Sequence, residues 1–233
     1  MTVFPPHPSP LTPHPLAFAD APTAPLDHEL AAWATDHLLI GVDEVGRGPL
    51  AGPVVAGACC FVIGHAGISG VRDSKAVKKA TERESLAASI RAEALGWGLG
   101  AASVAEIERL NIRVATALAM RRALAQCRRM LDVNAHVLVL VDGMPVPELG
   151  TPHRALVKGD ANCHAIAAAA LLAKVARDRL MRSLGARRPG YGWESNMGYG
   201  SAGHMSALRT QGMTPHHRKL FCRGIVEQGE IFG

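Results

Sequence analysis

Two apolar runs in this chain stop on acids, and a third is followed by one. His37-Leu-Leu-Ile-Gly-Val42 ends in Asp43-Glu44, Val137-Leu-Val-Leu-Val141 ends in Asp142, and Ala155-Leu-Val157 is followed by Lys158-Gly159-Asp160. An apolar strand ending on an acid holds a carboxylate close to the core, where an unpaired charge costs several kcal/mol. If the three ends converge, each close pair of like charges repels by about 4 kcal/mol at an effective dielectric near 20. Protons or metal ions must then neutralise the cluster. No Cys or His pattern accompanies the acids, and an oxygen-only set favours a hard cation such as Mg²⁺ or Mn²⁺ over zinc.

Each acid also has a plainer reading. Asp43 and Glu44 are consecutive and leave a regular strand on opposite faces, so a shared metal site needs the strand to end or bend there; otherwise one of them caps the Gly-rich turn. Asp160 stands two residues before a helix expected to begin near Asn162, where Asp is a favoured N-terminal cap. Capping does not exclude a metal role, because a carboxylate has several lone-pair directions. The repetition of the design at Asp142 tips the balance toward metal.

The segment after Glu44, Gly46-Arg47-Gly48-Pro49-Leu50-Ala51-Gly52-Pro53, lacks the Lys-Ser/Thr ending of a phosphate-binding P-loop. Its glycines allow backbone groups to approach a ligand closely beside the acids. Asp73-Ser74-Lys75 with Lys78 and Lys79 reads as a solvated loop, and the Arg121-Arg122 and Arg128-Arg129 pairs as exposed helix faces. Lys174, Arg177 and Asp178 have the spacing of ion pairs along one helix. Tyr191 and Tyr199 lie in a Gly-rich stretch where an aromatic is either a core plug or a stacking platform. His204, His216 and His217 have no zinc spacing with the cysteines.

Eight of the 15 prolines fall within residues 1–28, which reads as a disordered or extended tail, with a short helical lead-in over 29–36. Strands are expected at Leu38–Asp43, Val54–Ile63, Leu95–Ala102, His136–Val141 and Arg154–Val157. Helices are expected at Val104–Leu110, Val114–Leu131, Asn162–Leu184 and Ser201–Gln211. The order βββ-α-β-α-β-α argues for one α/β domain, residues 29–233, with catalytic groups at strand ends. The formal charge of +5 permits a polyanionic partner. Five cysteines without framework spacing read as reduced thiols of a cytoplasmic protein, and no apolar stretch is long enough for a membrane helix.

Taken together, Gly-Val-Asp43-Glu44-Val-Gly46-Arg47-Gly48-Pro-Leu-Ala-Gly-Pro, Asp73-Ser-Lys75, Val141-Asp142-Gly, Lys158-Gly-Asp160, Ala173-Lys-Val-Ala-Arg-Asp178, Pro189-Gly-Tyr-Gly, Gly198-Tyr199-Gly and His217-Arg218 closely resemble the bacterial ribonuclease HII family. The match runs in order over about residues 38 to 223. It implies an RNase H-like α/β fold, with a mixed central sheet flanked by helices and a helical C-terminal extension. It also implies a metal-dependent endonuclease that cuts the RNA strand of RNA–DNA hybrids and nicks 5′ of single ribonucleotides in duplex DNA. By this likeness Asp43, Glu44, Asp142 and Asp160 are the catalytic metal-binding acids. Gly46, Arg47 and Gly48 sense the 2′-hydroxyl, and Tyr199 stacks on the sugar beyond the junction. The related type HIII enzymes lack the Gly-Arg-Gly form. Ala76, Lys78, Ala170 and Met197 depart from the family's usual residues, and they leave the acids untouched.

The mechanism that follows uses two Mg²⁺ or Mn²⁺ ions about 4 Å apart, one generating hydroxide and one stabilising the leaving 3′-oxygen. A monomer is expected. Two rivals stand beside it: a non-catalytic nucleic-acid-binding module, and a same-fold nuclease acting on branched DNA. Neither terminal tail has a partner legible in its residues.

Overall fold

A computed structural model describes residues 21–230, with side chains as far as residue 225. The first elements in chain order are α1 (Asp27–Trp33), β1 (Leu38–Val45), β2 (Val54–Cys60), α2 (Ala80–Glu93), β3 (Gly96–Ala102) and α3 (Val104–Arg128). Next come β4 (Val137–Asp142), a 3₁₀ turn at Pro147–Leu149, β5 (Arg154–Leu156), α4 (Gly159–Asn162) and α5 (His164–Arg187). The chain closes with α6 (Trp193–Asn196), α7 (Ala202–Gln211) and α8 (Lys219–Glu230).

The five strands form one mixed sheet in the order β3-β2-β1-β4-β5. β2 pairs antiparallel with β1 and β3, whereas β4 is parallel to both β1 and β5. The period-2 alternation of the strands decides what each face meets. Ile40, Val42, Val139 and Val141 pack in one core with the α3 residues Ala119, Met120 and Ala123. Leu39, Cys59 and Leu140 face the other way, into a core with Ile166, Ala169, Leu172 and the α2 residues Leu86 and Ile90. The α5 backbone lies directly on the sheet, because a Cβ at Gly41 would overlap the Ala165–Ile166 peptide.

α2 lies between β2 and β3, where no element is expected from the sequence; it buries just Leu86, Ala87 and Ile90 of its 14 residues. The expected β-α-β order also fails between β4 and β5, which a 3₁₀ turn joins. The two helices expected around residues 104–131 meet end to end within α3, across a non-helical break at Asn111. Asn111 sits at φ 65°, ψ 165°, and its side chain accepts from the Arg113 and Val114 N–H groups. The start of α3 is a capping box between Ser103 and Glu106.

The expected boundary of the Pro-rich tail at residue 28 comes too late. Ala24 is buried and its N–H donates to Val71 O at 2.8 Å, while Pro25 O accepts from His164 N–H at 3.0 Å. The lead-in helix accordingly starts at Asp27 and ends at Trp33. The rest of the expected tail, residues 1–20, lies outside the described residues.

Candidate active site

Strand parity assembles the acids. Asp43 follows Leu39 and Gly41 on the α5 face of β1, and Asp142 follows Leu138 and Leu140 on the α5 face of β4. The parallel register that pairs Val42 with Val141 puts these two acids side by side. Asp160, in the turn of α4 that leads into α5, arrives on the same face. Carboxylate oxygens of Asp43, Asp142 and Asp160 lie within 4.8 Å of one another. Asp43 and Asp160 are 7% and 8% exposed, so solvent screens their repulsion poorly.

Burial pushes the Asp43 carboxyl well above its usual range, with the Glu44, Asp142 and Asp160 carboxylates pushing the same way. Asp160 is also raised, by burial first and then by Asp142 and Asp73, against the pull of Lys75. Backbone N–H groups give partial relief: Glu44 N–H donates to Asp43 at 2.6 Å, and Gly159 N–H donates to Asp142 at 2.6 Å. Closely set, partly dehydrated carboxyl oxygens with no His or Cys among them fit a hard divalent cation.

Glu44 lies outside this cluster. β1 continues to Val45 without the bend a shared site would need, so Glu44 leaves on the face opposite Asp43 and pairs with Arg47 at 3.3 Å. Burial raises its carboxyl and Arg47 opposes the rise. Asp160 does not cap the long helix: the N-cap of α5 is Cys163, and α4 intervenes. Asp73-Ser74-Lys75 is not simply solvated either. Ser74 is buried, and Lys75 Nζ stands 3.7 Å from Asp160. Burial works against the Lys75 charge, but Asp160, Asp73, Asp43 and Asp142 outweigh it and raise the amine.

The Gly-rich loop is held by two arginines at 0% exposure. Arg218 donates to the carbonyls of Gly46 (2.6 Å), Arg47 (2.7 Å) and Gly52 (3.0 and 2.9 Å). Arg177 donates to Pro53 (3.0 Å), Met197 (2.9 Å) and Ala51 (3.2 Å) rather than pairing along its helix as its spacing suggests; the Lys174–Asp178 pair forms at 2.8 Å. Burial lowers both guanidinium groups, Arg218 to about 10. Gly46 sits at φ +96°, and a Cβ there would overlap the Arg177 side chain, so the loop's first glycine is required twice over.

Tyr199 rests beside this loop, its ring 4.0 Å from where a Gly48 Cβ would be, and it is 49% exposed. Tyr191 is the core plug of the pair, buried and stacked on Trp193. Beneath Tyr199 lie two buried histidines whose tautomers the hydrogen bonds assign. Thr214 N–H donates to His217 Nδ1, so His217 carries its proton on Nε2 and gives it to His204 Nε2 at 3.0 Å. His204 then donates from Nδ1 to Tyr199 O at 2.8 Å, and Trp193 Nε1–H adds a second bond to His204 Nε2. Burial, then His204, lowers His217 to about 4.

Sequence reasoning therefore names the three clustered acids and the loop, but misses the bracing by Arg177 and Arg218 and the approach of Lys75. The loop's glycines carried a signal for the first, since a backbone without side chains exposes carbonyls that a buried guanidinium can saturate.

The ribonuclease HII family model matches residues 40–224. Ribonuclease HII of Sphingopyxis alaskensis is 51% identical over 191 residues, covering 81% of this chain and 92% of that protein. Among solved structures, the ribonuclease H2 of Pyrococcus horikoshii has a TM-score of 0.65 at 24% identity, covering 83% of this chain and 99% of that one. Bst-RNase HIII, solved in complex with Mn²⁺, has a TM-score of 0.65 at 16% identity, covering 87% and 73%. Those two likenesses carry the RNase H-like fold, and the matched span takes in both the acid cluster and the loop. The chain thus belongs to the ribonuclease HII family and is an endonuclease of the ribonuclease H type.

Proposed function

We propose that Asp43, Asp142 and Asp160 hold divalent cations, Mg²⁺ or Mn²⁺, against the phosphate on the 5′ side of a ribonucleotide. The chain would cut the RNA strand of RNA–DNA hybrids and nick at single ribonucleotides embedded in duplex DNA, leaving 3′-hydroxyl and 5′-phosphate ends. The observation that carries this reading is the convergence of three carboxylates within 4.8 Å, two of them held above their usual range by burial and mutual repulsion. Bound there, a pair of such cations supplies an activated water and neutralises charge on the leaving oxygen.

Glu44 is the fourth acid of the set: in support, its charge raises the Asp43 carboxyl and the Asp142 charge raises its own, although it is paired with Arg47 here. Gly46, Arg47 and Gly48 read the 2′-hydroxyl. In support, the Gly46 and Arg47 carbonyls are held by Arg218, while the Arg47 and Gly48 N–H groups have no protein acceptor among the described residues. A hydroxyl that both donates and accepts separates RNA from DNA at such a backbone. Tyr199 offers a half-exposed ring to the sugar beyond the junction.

The active unit is one chain, since the acids, loop and Tyr199 all belong to it. A cytoplasmic setting suits the five cysteines, each a buried free thiol. Among the described residues no helix is long and apolar enough to cross a membrane.

The test is a DNA duplex carrying one ribonucleotide, incubated with Mg²⁺, Mn²⁺ or chelator beside an all-DNA duplex and the Asp142→Asn variant. A metal-dependent nick 5′ of the ribonucleotide, absent from both controls, supports the reading. Wild-type turnover in Asp142→Asn sinks the acid site, and cleavage of the all-DNA duplex sinks the 2′-hydroxyl reader.

A further inference from the structure

The segment ahead of β1 lies before the span matched by the family model, yet it is bonded to both walls of the Asp160 site. One wall is the start of α5, which has no side-chain cap of its own. A helix leaves its first N–H groups without intrahelical partners. Here the α1 segment supplies acceptors for two of them: Pro25 O takes His164 N–H at 3.0 Å, and Glu29 Oε1 takes Ala165 N–H at 2.7 Å. The same Glu29 oxygen accepts from Cys163 Sγ at 3.3 Å. Glu29 is 1% exposed, and its Oε2 has no hydrogen-bond partner among the described residues, a burial cost that ordinary surface solubility does not explain.

The other wall is the loop leading to Asp73 and Lys75. Thr23 Oγ1 accepts from Gly70 N–H at 2.9 Å, and Ala24 donates to Val71 O at 2.8 Å. His164, at 0% exposure, joins the walls directly: Ile68 N–H donates to its Nε2 at 3.0 Å, so its proton sits on Nδ1, 3.3 Å from Ala24 O. Asp160 lies three residues before Cys163, in a turn that closes through Cys163 N–H to Gly159 O at 2.8 Å. Its carboxylate then meets Lys75 from the second wall.

We infer that Glu29 is a positioning residue for the active site: by capping α5 from a separate helix it fixes the α4–α5 elbow, and through it the carboxylate of Asp160. This rests on the reading of the clustered acids as the metal site. Losing a group bonded directly to a metal ligand typically weakens metal affinity by about 10- to 100-fold, and Glu29, which acts one step further out, is expected at the lower end of that range.

The experiment is Mn²⁺ binding by titration calorimetry on the full chain, with hydrogen exchange over residues 159–166 as a second readout. Glu29→Ala should weaken Mn²⁺ about tenfold and speed exchange in the elbow. Glu29→Gln, whose amide oxygen still accepts from Ala165, should restore affinity to within about threefold of wild type. Ser103→Ala, which removes a cap from α3 on the face of the sheet opposite α5, controls for general destabilisation and should bind Mn²⁺ as wild type does. Glu29→Asp, one methylene short of Ala165, carries the same comparison if Glu29→Ala does not fold.

Wild-type affinity in both Glu29→Ala and Glu29→Asp would overturn the inference, as would an equal loss in Ser103→Ala. Asp142→Asn, run alongside, separates the two levels. If it too binds Mn²⁺ normally, the acid site itself is misassigned; if it alone loses binding, the site stands and the role of Glu29 falls.

Discussion

The acid cluster and the Gly-rich loop begin three residues apart, at Asp43 near the end of β1 and at Gly46 just past it, yet they carry charge in opposite ways. At the cluster, Asp43, Asp142 and Asp160 repel one another in poorly screened surroundings, with Lys75 and a few N–H groups as partial relief. At the loop, Arg177 and Arg218 are fully buried but use their N–H groups on the carbonyls of residues 46, 47, 51, 52, 53 and 197. The cluster is left short of positive charge and draws it from outside. The loop is already saturated from within and gains rigidity instead. On the proposed function, binding energy for a cation would sit in the first region, and discrimination between sugars in the second.

The largest expected effect tests the first half of that contrast. Asp142→Asn should cut turnover on the single-ribonucleotide duplex by on the order of a thousandfold, about 4 kcal/mol of barrier. Its metal-free melting temperature should hold or rise, because one repelling charge is gone. A marked loss of metal-free stability would mean that the cluster is structural rather than frustrated. In the second region the signs reverse. Arg218→Ala should cost about 3 kcal/mol in denaturant unfolding, since three buried carbonyls lose charged donors. Arg218→Lys should recover little of it, because an ammonium group lacks the planar fork that spans Gly46, Arg47 and Gly52.

A smaller effect belongs to the exposed ring on the loop. Tyr199→Ala should slow cleavage at a ribonucleotide junction by about tenfold while affecting cuts within long RNA tracts less, and leave folding intact. Equal losses on both substrates would make Tyr199 a packing residue. Acid sharpens the comparison further. His217 is held near 4, below its ordinary 6.5, so the unfolded chain takes up its proton first. Stability from this network is complete above about pH 6.5 and declines as pH falls toward 4, seen as a falling melting temperature. The raised Asp43 and Asp160 carboxyls work in the opposite direction, which makes the net slope a readout of which region dominates.

Much of the site was legible because its signal is local. An apolar run that ends on an acid announces a buried strand and a carboxylate at its tip within six or seven residues, and both Asp43 and Asp142 follow that rule. Asn111 likewise ended one helix and began another by its own side chain, as the spacing implied. α2 was illegible for the opposite reason: it buries only three residues, and its packing against α5 owes more to tertiary contact than to pattern. Arg177 shows the limit of helical spacing: the i,i+4 pair on its helix forms between Lys174 and Asp178, while three carbonyls from distant segments take the Arg177 guanidinium.

By itself the sequence determined an α/β chain with acids at strand ends, a close-approach glycine loop beside them, and the motif order of a ribonuclease HII. The first two follow from period, burial and residue chemistry over short stretches, and the third from resemblance to a known family. Only the tertiary structure decided that Glu44 stands apart from the other three acids, because the unbroken strand sends consecutive side chains to opposite faces. Only it showed that the last residues of the Pro-rich segment belong to the body. Glu29 meets Ala165 across 136 positions of chain, and the burial of an acid is offset by a partner that no local pattern can name.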